Sequence, residues 1–433
     1  MGTIKFALQM LKREYIKSIS YSFILLFSLF ISFIFIDIID NPYLVQGDTV
    51  SGGASWNQVS VPLSIGLPFL IICICWVMIL YASDYYLNKK VKEFALIYIS
   101  GGTFIDVVLY VACQITVILI ITIPLSFLLG TIALNQLYTI MYQYLNINIV
   151  YHVPFSTYFG CSFTIIPIIM TIMISIAGFS HRNTIQVLLG RTEKASGTII
   201  KDTKIKTPVY IFIYFAALIS IVFQEHYAVA YVVPTFLGSF AMYGIIKQVI
   251  PKVVRQLNLK KLLEKPFSFI PFSNYCVSMQ GTIIMSMLML CLITLLVPIL
   301  IGQDPSSNEY FTAILSYISI VILIIVGLVC KFCDLVVLRK GEFIAMAKIG
   351  YIYQERKNMI IKEVMIFYGT ILVMPLPYIL IIGLKFVIAG GLSTKMLFSL
   401  ILFYVFPSLL SMIVTMYLYN RTVNIKVKGE VYE

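Results

Sequence analysis

The chain has 433 residues, 60% of them hydrophobic and only 12% charged, and its mean hydropathy is +0.96. A soluble domain of this length needs far more polar surface to cover itself, so that class is excluded. The formal net charge of +12 does not point to nucleic acid, because the basic residues are spread over the polar segments between apolar runs. That is where the positive-inside rule puts them in a membrane protein.

The apolar runs predict ten spanning helices, near 18–38, 62–82, 103–130, 156–179, 208–223, 228–247, 279–301, 311–330, 360–384 and 397–419. Each run, the short fifth excepted, approaches or exceeds the roughly 20 residues a bilayer requires. The fold class is therefore an all-α polytopic bundle. An even count returns the C-terminus to the side of the N-terminus. With both termini inside, Lys385 and Lys395 are the only two of the 31 Lys and Arg residues on the outer side. The outer loops instead carry Asp37, Asp40, Asp48, Glu225, Asp304 and Glu309.

Taken in chain order, the N-terminal "TIKFALQMLKREYIKS" reads as a basic helix lying along the inner membrane face. Outer loops 39–61 and 131–155 are too small to form domains of their own. The second is rich in Tyr and is predicted to form an aromatic interfacial helix. Its Tyr138, Tyr142, Tyr144 and Tyr151 are candidate contacts for an amphipathic ligand. Residues 181–208 read as a basic linker, and 247–275 as an amphipathic segment facing anionic lipid.

The chain lacks Gly-x4-Gly-Lys-Ser/Thr, His-Glu-x-x-His and Gly-x-Ser-x-Gly, so it holds no P-loop and no common hydrolytic motif. Cys330-x-x-Cys333 has metal spacing but no second pair to complete a site. Its three histidines fall in different loops. No catalytic or metal site is expected, and no cofactor in this chain.

One pattern occurs twice. "KKVKEFALIYISGG" (89–102) and "RKGEFIAMAKIG" (339–350) each place six residues between Glu-Phe and Gly, 249 positions apart, in a basic stretch between two apolar runs. In helical spacing Phe94 and Ile97 share a face, as do Phe343 and Met346. Gly101 and Gly350 mark points where the chain leaves a short helix. Twenty-one residues after each Glu stand Gln114 and Glu363, polar groups inside a span that should face the bundle.

Glu93-Phe94-Ala95-Leu96 followed by Gly101 and a long helix resembles the cytoplasmic loop of FtsX-like (MacB-type) ABC transporter permeases. The ten spans resemble the bacitracin-resistance (BceB-like) branch. That branch implies a first four-span unit (1–180), a linker and two-span hairpin (181–275) and a second four-span unit (276–433). The chain departs from it in one respect. The large extracellular domain between spans seven and eight is replaced by residues 302–310.

The resemblance implies a non-catalytic permease subunit in a bacterial plasma membrane, with both termini cytoplasmic. Its two loops would dock on two copies of a separate ABC ATPase, which supplies ATP and Mg²⁺. The coupling residues would be Glu93, Phe94, Ile97, Gly101, Glu342, Phe343, Met346 and Gly350, with the phenylalanines buried in the partner. The ligand would be an antimicrobial peptide or another amphipathic or lipid-linked molecule, met among membrane lipids. Two alternatives stand beside this. One is an envelope-stress scaffold that signals to a sensor histidine kinase without net transport. The other is an ion-coupled secondary transporter, for which mid-membrane charges are too few.

Overall fold

The computed structural model describes residues 3–13, 15–41, 63–144, 153–182, 207–224, 228–257, 266–303 and 307–423. Every regular element among them is helical. Nine of these helices are long and apolar enough to cross a membrane, and a tenth apolar helix, Thr207–Phe223, has 17 residues. The all-α polytopic character read from the apolar runs is met.

Helix α6 (Phe155–Arg182) shows why such segments belong in lipid. Phe155, Phe159, Phe163, Ile166, Met170 and Ile174 recur at helical spacing on one side, and all are exposed. Cys161, Ile165, Ile168, Ile172 and Ile176 are buried on the other side. A soluble helix keeps one face polar, whereas this one is apolar all round.

The chain divides into two compact units, Met1–Ile199 with Pro305–Thr312, and Ile200–Asp304 with Ala313–Glu433. In the first, α2 (Tyr15–Asp40), α3 (Leu63–Lys89), α5 (Phe104–Tyr144) and α6 pack as a bundle. Helix α1 (Thr3–Arg13) lies on α5, and the short α4 (Val91–Ile99) packs on α3 and α5. Helix α5 runs for 41 residues straight through Pro124, so the third span does not end at 130. The aromatic stretch from 135 to 144 is its last part, not a separate interfacial helix.

The second unit holds α7 (Thr207–Phe223), α8 (Val232–Gly244), α9 (Ile250–Leu257), α10 (Pro266–Gly281) and α11 (Ile283–Ile301). It continues with most of α12 (Asn308–Ile349), then α13 (Tyr353–Val373), α14 (Leu376–Ile388) and α15 (Thr394–Val423). Helices α7 and α8 pack on each other, α8 on α11, and α7 on α14. At Gly244 an added Cβ would stand 1.9 Å from the Tyr210 ring, so only a bare backbone lets α7 and α8 approach this closely.

Pro375 separates α13 from α14, as its missing N–H and its ring require. Lys385, one of the two exceptions to the charge asymmetry, has a local explanation. Its ammonium group donates to the carbonyls of Ile221 and Gln224, at the end of α7, where the helix dipole favours a cation.

The aromatic linker region 145–152 containing Tyr151, the loop 42–62 and the linker 183–206 lie outside the described residues.

Candidate coupling loops

Each Glu-Phe stretch ends in the same backbone geometry. Gly101 has φ +86° and Gly350 φ +109°, both in the region that favours glycine. In the first loop the Gly101 N–H donates to Tyr98 O at 3.1 Å and the Gly102 N–H to Ile97 O at 2.9 Å. In the second, the Gly350 N–H donates to Ala347 O at 3.2 Å and the Tyr351 N–H to Met346 O at 3.1 Å. This paired pattern closes a helix C-terminus by satisfying its last carbonyls.

The next helix then starts in the same way. The Thr103 N–H donates to the Asp106 carboxylate at 2.8 Å, and the Ile352 N–H to the Glu355 carboxylate at 3.1 Å. An acid three residues into a helix that reaches back to the first N–H is half of a capping box. Asp106 thus serves the N-terminus of its own helix, where the dipole favours an anion.

Beneath each loop lies a buried cation. Lys90 is fully buried, and its ammonium donates to Glu93 Oε1 at 2.8 Å. The Tyr110 hydroxyl donates to the other Glu93 oxygen. Gln114 Nε2 donates to the Tyr110 oxygen at 2.9 Å and to Ala7 O at 3.2 Å. The Tyr86 hydroxyl completes the row by donating to Gln114 Oε1 at 2.9 Å. Five side chains and one backbone carbonyl thus tie α1, α3, α4 and α5 together.

The second unit solves the same problem with other residues. Arg339, 249 positions after Lys90, is also buried. It donates to Glu363 Oε1, to Asn274 O at 2.9 Å and to Ser278 Oγ at 3.0 Å. Ser278 Oγ and the Tyr419 hydroxyl donate to the two Glu363 oxygens at 3.1 and 2.9 Å. Burial alone would pull the Arg339 guanidinium down, but Glu363 and Tyr419 outweigh it and hold the group above its ordinary range. Gln114 and Glu363 are both buried.

Two expectations about side chains are corrected. Phe94 is 2% exposed and Phe343 1% exposed, so each is already packed inside its own chain and is not available to be buried in a partner. The Phe343 ring lies 5.9 Å from the Tyr419 ring. Ile97 is buried as well, whereas Met346 is half-buried. The two glutamates also differ, because Glu93 is buried in its ion pair while Glu342 is exposed. What the loops present outward is Leu96 and Ile99 in the first, and Glu342, Lys348 and Ile349 in the second.

The other correction concerns the tyrosines. Tyr138 and Tyr142 are buried, and their rings stack at 5.5 Å. The Tyr138 hydroxyl donates to Asp37 Oδ2 at 2.7 Å, Thr157 Oγ1 donates to Asp37 Oδ1 at 2.8 Å, and Asn41 Nδ2 donates to the Tyr142 hydroxyl at 3.0 Å. A buried carboxylate needs such donors, so this face of α5 is spent on holding α2 and α6. Tyr144 is the last residue of α5.

Elsewhere in the first unit, α5 and α6 flank an open apolar groove of about 410 Å³ lined by residues that include Ile115, Ile120, Pro124, Ile172 and Met173. Among the described residues no group of three His, Cys, Asp or Glu could hold a metal ion. Cys330 and Cys333 are half-buried on α12 and are not joined in a disulfide. No protein-family model matches the chain, and no curated protein matches it.

Proposed function

We propose that the chain is the ten-span permease subunit of an ATP-driven complex in a cell membrane, built from two FtsX-like units and docked through its two loops on two copies of a separate ATPase. One observation carries this reading. At a constant offset of 249 residues the chain twice sets a buried cation, a helical Glu-Phe pair, a glycine-closed helix end and a capped following helix. A motif that only closed a polar loop would not need a buried ion pair beneath it, since burying a charge is costly unless it is well paired.

The mechanism is mechanical. Partner closure on ATP pushes the loops, and the paired side chains beneath them pass the displacement into α5 and α13. Docking uses the outward residues, Leu96 and Ile99 on one loop and Glu342, Lys348 and Ile349 on the other, while Phe94 and Phe343 anchor the loops to the bundle. A short amphipathic helix set in a groove is a common mode of recognition. The ligand is an amphipathic peptide or lipid-linked molecule that enters from the membrane plane, where the α5–α6 groove offers an apolar wall. Export or removal of such a ligand protects the cell.

The test is affinity capture of the chain from its own membranes, with identification of any ABC ATPase that comes with it, followed by hydrolysis in the same membranes. Leu96→Asp with Ile349→Asp should abolish capture and stimulated hydrolysis while the chain still inserts. Full coupling in that double variant would remove the loops from the mechanism. The signalling reading is favoured instead if the complex changes kinase output but leaves killing curves for membrane-active peptides unchanged.

A further inference from the structure

The two loops are held in different ways. Helix α3 stops at Lys89, Lys90 has φ −91° and ψ 2°, and α4 starts at Val91, so the first loop helix is a separate nine-residue piece. The second loop has no such break. Helix α12 runs 42 residues from Asn308 to Ile349, through Arg339 and Glu342 to the glycine. The carboxylates follow the same division. In the first unit the cation is paired by Glu93 of the loop helix itself, and in the second by Glu363 of the following helix, 21 positions after the exposed Glu342.

A helix of nine residues has no stability of its own in water. It stays formed only through what it touches, here Phe94 and Ile97 in the bundle and Glu93 on Lys90 and Tyr110. Removing the Glu93 carboxylate strips its ties to Lys90 and Tyr110 at once. The second loop loses nothing comparable when its ion pair is removed, because its helix is the continuation of a span.

We propose that Lys90 and Glu93 form a latch that positions the first loop helix, so that this loop alone can detach from the bundle while the second moves as one piece with its span. Lys90 and Glu93 are positioning residues, acting through Tyr110 and Gln114 on α5 and α1. The inference rests on reading the loops as ATPase docks for its purpose, but not for its measurement.

The experiment is hydrogen–deuterium exchange on the purified full chain in lipid nanodiscs, without any ATPase. In Lys90→Met/Glu93→Gln, which leaves no unpaired buried charge, the amides of 94–99 should exchange about tenfold faster or more, as locally opened segments do. Lys90→Arg should keep wild-type exchange there. Arg339→Met/Glu363→Gln should leave the amides of 341–349 within about twofold of wild type, and Glu342→Gln should leave them unchanged. Unaltered exchange at 94–99 in the first double variant overturns the latch, as does equal loosening of both loops in their respective double variants. A second measurement separates the two claims. If the wild-type chain captures no ATPase but the exchange pattern holds, the docking reading fails and the latch stands. If capture succeeds and the exchange pattern fails, only the latch is lost.

Discussion

The Tyr404 hydroxyl on α15 donates to the Ile371 carbonyl on α13 at 2.7 Å. Ile371 lies four residues before Pro375, so its carbonyl is the one that proline leaves without a helical partner. One residue before the proline, the Met374 carbonyl accepts from the Tyr214 hydroxyl at 2.5 Å. In hydrocarbon no water can take up such groups, and neighbouring helices must supply the donors.

Tyr404→Phe should therefore destabilise the chain by about 1–3 kcal/mol, the cost of an unmet buried acceptor. Pro375→Ala restores an N–H within α13–α14, so the same Tyr404→Phe change should cost markedly less in that background. Thermal unfolding of the four proteins of this double-mutant cycle in detergent gives the coupling. Equal costs in both backgrounds would mean that the tyrosine only fills space.

Breaking the Arg339–Glu363 pair from one side leaves an uncompensated charge among α10, α13 and α15. Arg339→Met or Glu363→Gln alone should cost about 3–5 kcal/mol, and the double variant clearly less than either. Yield of folded protein and its melting temperature report the order. A double variant worse than both singles would show that the polar contacts to Asn274 and Ser278 matter more than the charges.

Two glycines of the second loop should respond with opposite signs. Gly350 sits at φ +109° with open space where a Cβ would go, so Gly350→Ala meets only backbone strain and should destabilise by about 1–2 kcal/mol. Gly341 lies inside α12, also with open space, and Gly341→Ala should stabilise by about 0.4–1 kcal/mol. Chemical or thermal unfolding of the two variants side by side is sufficient. A shift in the same direction for both would contradict the helix end placed at Ile349.

Lys385 and Lys395 were the two basic residues expected on the outer side, and they should behave differently. Lys385→Met removes charged donors from the end of α7 and should cost about 1.5–3 kcal/mol. Lys395 is exposed near the start of α15, and Lys395→Met should stay within about 0.5 kcal/mol of wild type. Melting temperatures of the two variants decide this, and a silent Lys385→Met would leave that exception unexplained.

The helices were legible because lipid-facing segments need only be apolar and long, and the chain writes them in uninterrupted runs. The helix ends at Gly101 and Gly350 were legible too, since few residues tolerate that backbone angle. The buried cations were not. Lys90 and Arg339 sit in basic stretches of a kind that ordinarily faces water, and one sequence offers no mark of burial except the shared 249-residue offset. Phe94 and Phe343 were assigned to the right face, but that face turned inward. Nothing in a helical period says whether an apolar stripe meets its own bundle or a partner. Tyr138 and Tyr142 read from the sequence as ligand contacts because Asp37 and Asn41, about 100 positions earlier, give no sign of reaching them.

The unbroken length of α5 has a consequence for reach. A 41-residue helix extends about 60 Å, whereas the hydrocarbon of a bilayer is about 30 Å thick. Roughly half of this rod must stand clear of the apolar layer, and its far end carries the Asp37–Tyr138 and Asn41–Tyr142 bonds. Its near end carries Tyr110, in contact with Glu93 of the first loop. If the rod stays straight, a tilt of about 10° moves one end by about 10 Å relative to the other. If the loops dock as proposed, a push on a nine-residue helix at one surface would arrive as a sideways sweep beyond the opposite one.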